Sequence, residues 1–157
     1  MFRPWFFVAD GGHLYPKYTP VPSAIYAIGM ALGEARISLA LIAGGSFLLV
    51  YRLGTLLVDR TVGLTAAVLF AASPMALITT ATFLPYAATT ALNLVFAVLY
   101  LYSIRTESRP AAAGAGLAIG LSFFGRPFTA LLFALPFIIH AGLATSVASG
   151  TEPLIVC

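Results

Sequence analysis

Eight side chains stand where their type and surroundings could do chemistry. Lys17 lies in the stretch HLYPKYTP, beside tyrosines and between Pro16 and Pro20. A lysine held by a stiff turn is a compact point charge, the form in which lysine takes a phosphate. At a membrane surface that phosphate belongs to a lipid; the plain alternative is an ordinary interfacial lysine. Arg126 stands between Gly125 and Pro127 in an otherwise uncharged run. A charge within apolar sequence is costly, so it marks a functional position or a loop at headgroup depth. These two are the candidate phosphate binders.

Six more residues are candidates for lining the same cavity. Asp10 is the one acid of the first twenty residues. It could bind a metal or act as a base, yet Asp-Gly-Gly is first of all a turn former. His13 and Tyr15 follow it, and either could assist or simply hydrogen-bond within the loop. Arg36 reads as an interfacial anchor or as a partner of Glu34, although residues two apart do not face each other on a helix. Thr82 and Tyr86 stand near the end of an apolar run, where a polar ligand or the lipid interface could occupy them. No metal site is read: Cys157 is the one cysteine, and no zinc-like cluster occurs.

The elements that must position these residues belong to a membrane. The chain has 157 residues, of which 61% are hydrophobic and only 8% charged. Soluble domains carry about 25% charged residues, so thirteen formal charges cannot dress a water-facing surface. The mean hydropathy of +1.01 agrees. A net charge of +3 without a basic run gives no nucleic-acid groove. The expected fold class is all-α: a multi-pass transmembrane bundle of about four spans, with short juxtamembrane or partly inserted helices and no β-sheet.

Residues 1–20 read as an extracytoplasmic, interfacial loop, with prolines at 16 and 20 and the aromatic cluster Trp5-Phe6-Phe7. Residues 21–145 form the transmembrane region, and 146–157 read as a truncated loop. Within the region, 21–33 is too short to span, because a crossing takes about 20 residues. Gly44-Gly45-Ser46 is a small-residue patch suited to close helix contact. The spans are placed near 36–58, 62–80, 85–104 and 128–145, with a short helix at 111–125. Pro74 is a kink inside the second span, and Pro85 is a boundary. Gly116 and Gly120 form a small-x-x-x-small packing pair. The basic residues Arg52, Arg60, Arg105 and Arg109 put their loops in the cytoplasm, and residues 1–20, 80–85 and Arg126 on the other side.

The order of these features resembles membrane glycosyltransferases of the GT-C type, including relatives of dolichyl-phosphate-mannose-protein mannosyltransferase and aminoarabinose transferase. The resemblance runs over roughly residues 10–140. It rests on Tyr15 to Pro20, the short helix to Gly33 followed by Arg36, Tyr51-Arg52-Leu53-Gly54, Ser73-Pro74, Gly116-Leu117-Ala118, Arg126-Pro127 and Pro136. It implies transfer of a sugar from a polyprenyl-phosphate carrier to an extracytoplasmic acceptor. The donor substrate is then a polyprenyl-phosphate-linked sugar, with no bound cofactor, and the cation at Lys17 holds its phosphate. The family's catalytic aspartate precedes its lysine element by some tens of residues, so Asp10 does not inherit that role. After Ser73-Pro74 the chain offers Thr82 and Tyr86 where relatives carry an acid or histidine. The chain thus reads as an N-terminal-half fragment, inactive alone, whose partners are membrane lipids, the lipid-linked sugar and the remainder of a larger transferase. The alternatives are a small channel or transporter subunit and a structural membrane protein.

Overall fold

The computed structural model describes residues 7–10, 13–16, 20–83 and 85–148, with side chains placed over 21–34, 36–83 and 85–143. Two short strands come first, β1 (Phe7–Asp10) and β2 (His13–Pro16). They pair antiparallel with Phe7 opposite Pro16 and Asp10 opposite His13. This corrects the expectation of a sheet-free loop. Phe-Val-Ala and Leu-Tyr tolerate extended backbone, and the Gly-Gly between the strands is a favoured two-residue hairpin linker.

Seven helices follow among the described residues: α1 (Pro20–Ala31), α2 (Ala35–Leu57), α3 (Arg60–Ala72), α4 (Pro74–Thr80), α5 (Pro85–Thr106), α6 (Arg109–Gly125) and α7 (Pro127–Ala148). Each boundary has a local cause. Gly33 closes α1 at φ +108°, while Gly33 N–H donates to Met30 O and Glu34 N–H to Gly29 O. That is a glycine-terminated Schellman end. The Asp59 carboxylate accepts from Val62 N–H at 2.8 Å and so caps α3. Pro74, Pro110 and Pro127 open α4, α6 and α7, where a missing N–H costs nothing.

Two helices are long and apolar enough to cross a membrane, Arg36–Leu57 and Pro85–Thr106. The pair α3–α4 makes a third if its two parts count as one, but it bends by 67° at Ser73. Pro74 therefore breaks the segment rather than kinking it gently. Ser73 is extended at ψ 121°, as a residue before proline prefers, and α4 restarts in a new direction. The expected fourth span is helical in α7, but its described apolar part, Pro127–Leu143, is shorter than a span. That helix runs to Ala148, past the expected loop boundary at 146; the following residues lie outside those described.

The core has two centres. Tyr26, Leu39, Ile42, Ala87 and Ala88 join α1, α2 and α5. Phe96, Ala115, Ala118 and Ala134 join α5, α6 and α7. Polar pins fix the packing. The Ser38 hydroxyl accepts from Gly29 N–H at 2.7 Å and donates to Tyr26 O at 3.0 Å, tying α1 onto α2. The buried Ser122 hydroxyl donates to Asn93 Oδ1 at 2.6 Å between α6 and α5. Such interhelical bonds contribute about 1 kcal/mol in a membrane.

The glycines do not pack where the pattern suggests. A Cβ on Gly44, Gly45, Gly116 or Gly120 would meet nothing within 4 Å. Positions 116 and 120 lie about 200° around α6 from its buried Ala118 and border an open groove with Phe96 of α5 and Ala130 and Ala134 of α7 rather than a tight contact. Close crossings lie elsewhere: between α2 and α3, where a Cβ on Gly54 would come within 2.7 Å of Gly63 Cα, and between α1 and α2, where a Cβ on Gly29 would lie 2.8 Å from Ser38 N.

Candidate functional site

Arg126 is the residue on which two helices meet. Pro127 denies it helical backbone, and it takes φ −151°, ψ 90°. Its N–H donates to Ser122 O at 2.8 Å and closes α6; its carbonyl accepts from Ala130 N–H at 3.0 Å and opens α7. The first free N–H groups of α7 therefore follow Arg126 directly along the chain, and a helix N-terminus, like a guanidinium, favours an anion. The guanidinium carbon stands 4.0 Å above the centre of the Tyr86 ring, in α5. Such a cation–π contact contributes about 0.5–2 kcal/mol, enough to orient the arginine without locking it.

The surrounding elements converge on the same end. A Cβ on Gly125 would lie 3.3 Å from Thr89 Oγ1 and 4.0 Å from Pro22 Cγ. The first turn of α1 thus abuts the Arg126 corner. Lys17 itself lies outside the described residues, and the chain leads from it into α1 within three positions. Tyr26 packs edge-on against Phe83 at 5.5 Å. Burial pushes the Tyr26 phenol above its usual range, and a hydrogen bond with the Ala88 backbone offsets part of that rise.

At the opposite end, Arg105 donates to Leu56 O, so the α2–α3 and α5–α6 turns lie together. That separates Arg60, Arg105 and Arg109 from Arg126 and Tyr86.

The other candidates divide. Tyr86 and Arg126 are brought together. Arg36 is at the same end, in a groove with Leu77, Thr80 and Phe83, but it does not join them. It makes an ion pair with Glu34 at 3.7 Å. Of the two roles open to Arg36, this is the pairing with Glu34; the spacing of two does not prevent it, because Glu34 precedes the helix, extended at φ −148°. The pair is 84% and 63% exposed, so it adds little stability. Thr82 spends its hydroxyl on Ile78 O and Thr79 O at the end of α4. For Asp10, His13 and Tyr15 the backbone alone is described; it pairs Asp10 with His13 at the hairpin's closed end. Among the described residues, no group of three or more His, Cys, Asp or Glu could hold a metal.

Sequence reasoning passed over a set of hydroxyls. Ser46, Ser73, Thr79, Thr80 and Thr90 meet Tyr86 around one cavity of about 250 Å3. The break at Ser73-Pro74 opens it between α2, α4 and α5. The density of Ser and Thr from 73 to 90, within an uncharged run, was the available signal. No family model, no curated protein and no solved structure matches this chain.

Proposed function

We propose that this chain is a membrane-embedded part of a GT-C-like glycosyltransferase that takes a sugar from a polyprenyl-phosphate carrier, with the carrier phosphate at the Arg126 corner. The observation that supports the reading is the Arg126 guanidinium over Tyr86 at the joint that opens α7, with the first turn of α1 packed beside that joint. When the glycosidic bond breaks, negative charge grows on the departing phosphate, and fixed cations stabilise it. Asp10 is not assigned the base.

This end is assigned to the extracytoplasmic face. With Cys157→Ser as background, Lys17→Cys should react with a membrane-impermeant thiol reagent in intact cells, and Arg60→Cys should not. The reverse pattern would refute the orientation.

The test of function is a comparison of ligands. In nanodiscs the full natural protein should prefer polyprenyl phosphate to the unphosphorylated polyprenol by roughly tenfold or more, the scale of one or two charge-assisted hydrogen bonds. Equal affinity would remove the phosphate role. A second reading, a structural or transport subunit, is favoured by the bare apolar faces of α3, α4 and α7. Leu69, Ile78, Phe128 and Leu132 are all more than 60% exposed. These faces suit lipid or neighbouring helices, and equal affinity for the two ligands would support that reading.

A further inference from the structure

Five buried residues among those described carry a hydroxyl, and four of these hydroxyls are satisfied. Tyr26 hydrogen-bonds the Ala88 backbone, Ser38 bonds Gly29 and Tyr26 O, Thr89 donates to Pro85 O, and Ser122 donates to Asn93. Ser46 is only 2% exposed and has no hydrogen-bond partner among the described residues. A hydroxyl in a helix ordinarily bonds back to the carbonyl four residues earlier, as Thr55, Thr80 and Thr106 do here. Ser46 does not make that bond and lines the cavity instead. Buried polar groups left unmade are rare in proteins, and one facing a cavity points to a missing partner.

The rest of the wall has the same chemistry. Ser73, Tyr86 and Thr90 also line the cavity, and their hydroxyls have no hydrogen-bond partner among the described residues. The described lining carries no charged side chain. A bare ion would be stripped of water there without a counter-charge, and an apolar group would leave the hydroxyls unpaired. At about 250 Å3 the space falls just under the roughly 300 Å3 at which drug-sized sites begin.

We propose that this cavity binds a neutral, hydroxyl-bearing group of sugar-ring size, through Ser46 and the hydroxyls around it. The site adjoins the phosphate corner, with the Tyr86 ring between them, but its hydroxyls do not depend on that corner. Such a group has two sources, a free sugar in the aqueous phase or the headgroup of a glycolipid.

Ala76 lines the cavity without a polar group, so it can carry a reporter. The full chain with Cys157→Ser and Ala76→Cys would be placed in nanodiscs, and its reaction with a small thiosulfonate followed. One arm adds D-glucose to the buffer; another adds monoglucosyl diacylglycerol to the bilayer. Saturable protection in either arm supports the site and identifies the source. Ser46→Ala should weaken protection about threefold to tenfold, the worth of one hydrogen bond. Ser46→Leu should abolish it, while Thr65→Ala, on an exposed face of α3, should leave it unchanged. Protection by neither probe, or equal protection with Ser46→Ala, overturns the proposal, and the alanine variant decides it if the leucine variant does not fold. Inorganic phosphate reports on the Arg126 corner instead; if it protects and the two sugars do not, the neutral site is wrong although the phosphate reading stands.

Discussion

Replacing Gly63 with alanine is expected to force α3 away from α2 and to destabilise the fold by about 2 kcal/mol, the usual scale of overpacking. The new Cβ would lie 2.5 Å from Thr55 Oγ1, 2.6 Å from Tyr51 O and 3.0 Å from Thr55 N. Two of these are backbone atoms, and Thr55 is itself pinned to Tyr51 O at 2.8 Å. No rotamer change relieves the contact, so the helices must separate. Gly116→Ala supplies the contrast. It meets nothing within 4 Å, so the helix-propensity gain of roughly 0.5–1 kcal/mol should survive. Unfolding of both variants in mixed micelles of increasing denaturing-detergent content reads the difference directly. Equal stability of the two would mean that the α2–α3 crossing is not close-packed.

The same comparison shows which parts of the fold were legible in the sequence. Breaks were legible, because proline and capping residues act on their own neighbours. Asp59, Pro85 and Arg126-Pro127 end or begin helices as expected. Pro74 was legible as a disturbance but not as a 67° turn, since the new direction depends on what α4 packs against. Glycine faces were not legible. A spacing of four says that Gly116 and Gly120 share a side of α6, not which side meets α5. The buried side is set by Ala115, Ala118 and Ser122. The hairpin was obscured because prolines at 16 and 20 dominated a stretch whose Gly-Gly centre was the better signal.

The candidate site was legible in its charges and not in its hydroxyls. Arg126 stood out because a lone charge in apolar sequence is costly. Its contact with Tyr86 could not be read from the sequence, since 40 positions separate them and α6 must return to the start of α5. The Glu34–Arg36 pair could be named as an option but not chosen, because the helix spacing rule does not govern a residue just outside the helix. Ser46 was noticed only for its size. Its importance lies in a missing hydrogen bond, and no sequence pattern records that.

The largest functional effect is expected at the phosphate corner. Arg126 is held over Tyr86 by a contact of about 0.5–2 kcal/mol, which a phosphate can outcompete. A hydrogen bond between a charged donor and a phosphate contributes about 1.5–3 kcal/mol, so losing one cation should weaken binding by roughly tenfold or more. Lys17 and Arg126 would repel each other without an anion between them. If they share one phosphate, each supports the other's contact, and their effects cannot simply add. The decisive measurement is polyprenyl-phosphate affinity in nanodiscs for the full natural protein, Lys17→Met, Arg126→Met and the double variant. Each single change is predicted to weaken binding about tenfold or more, with the double variant departing from the product of the two. Unchanged affinity in Arg126→Met would contradict the account and leave this arginine as the joint between α6 and α7.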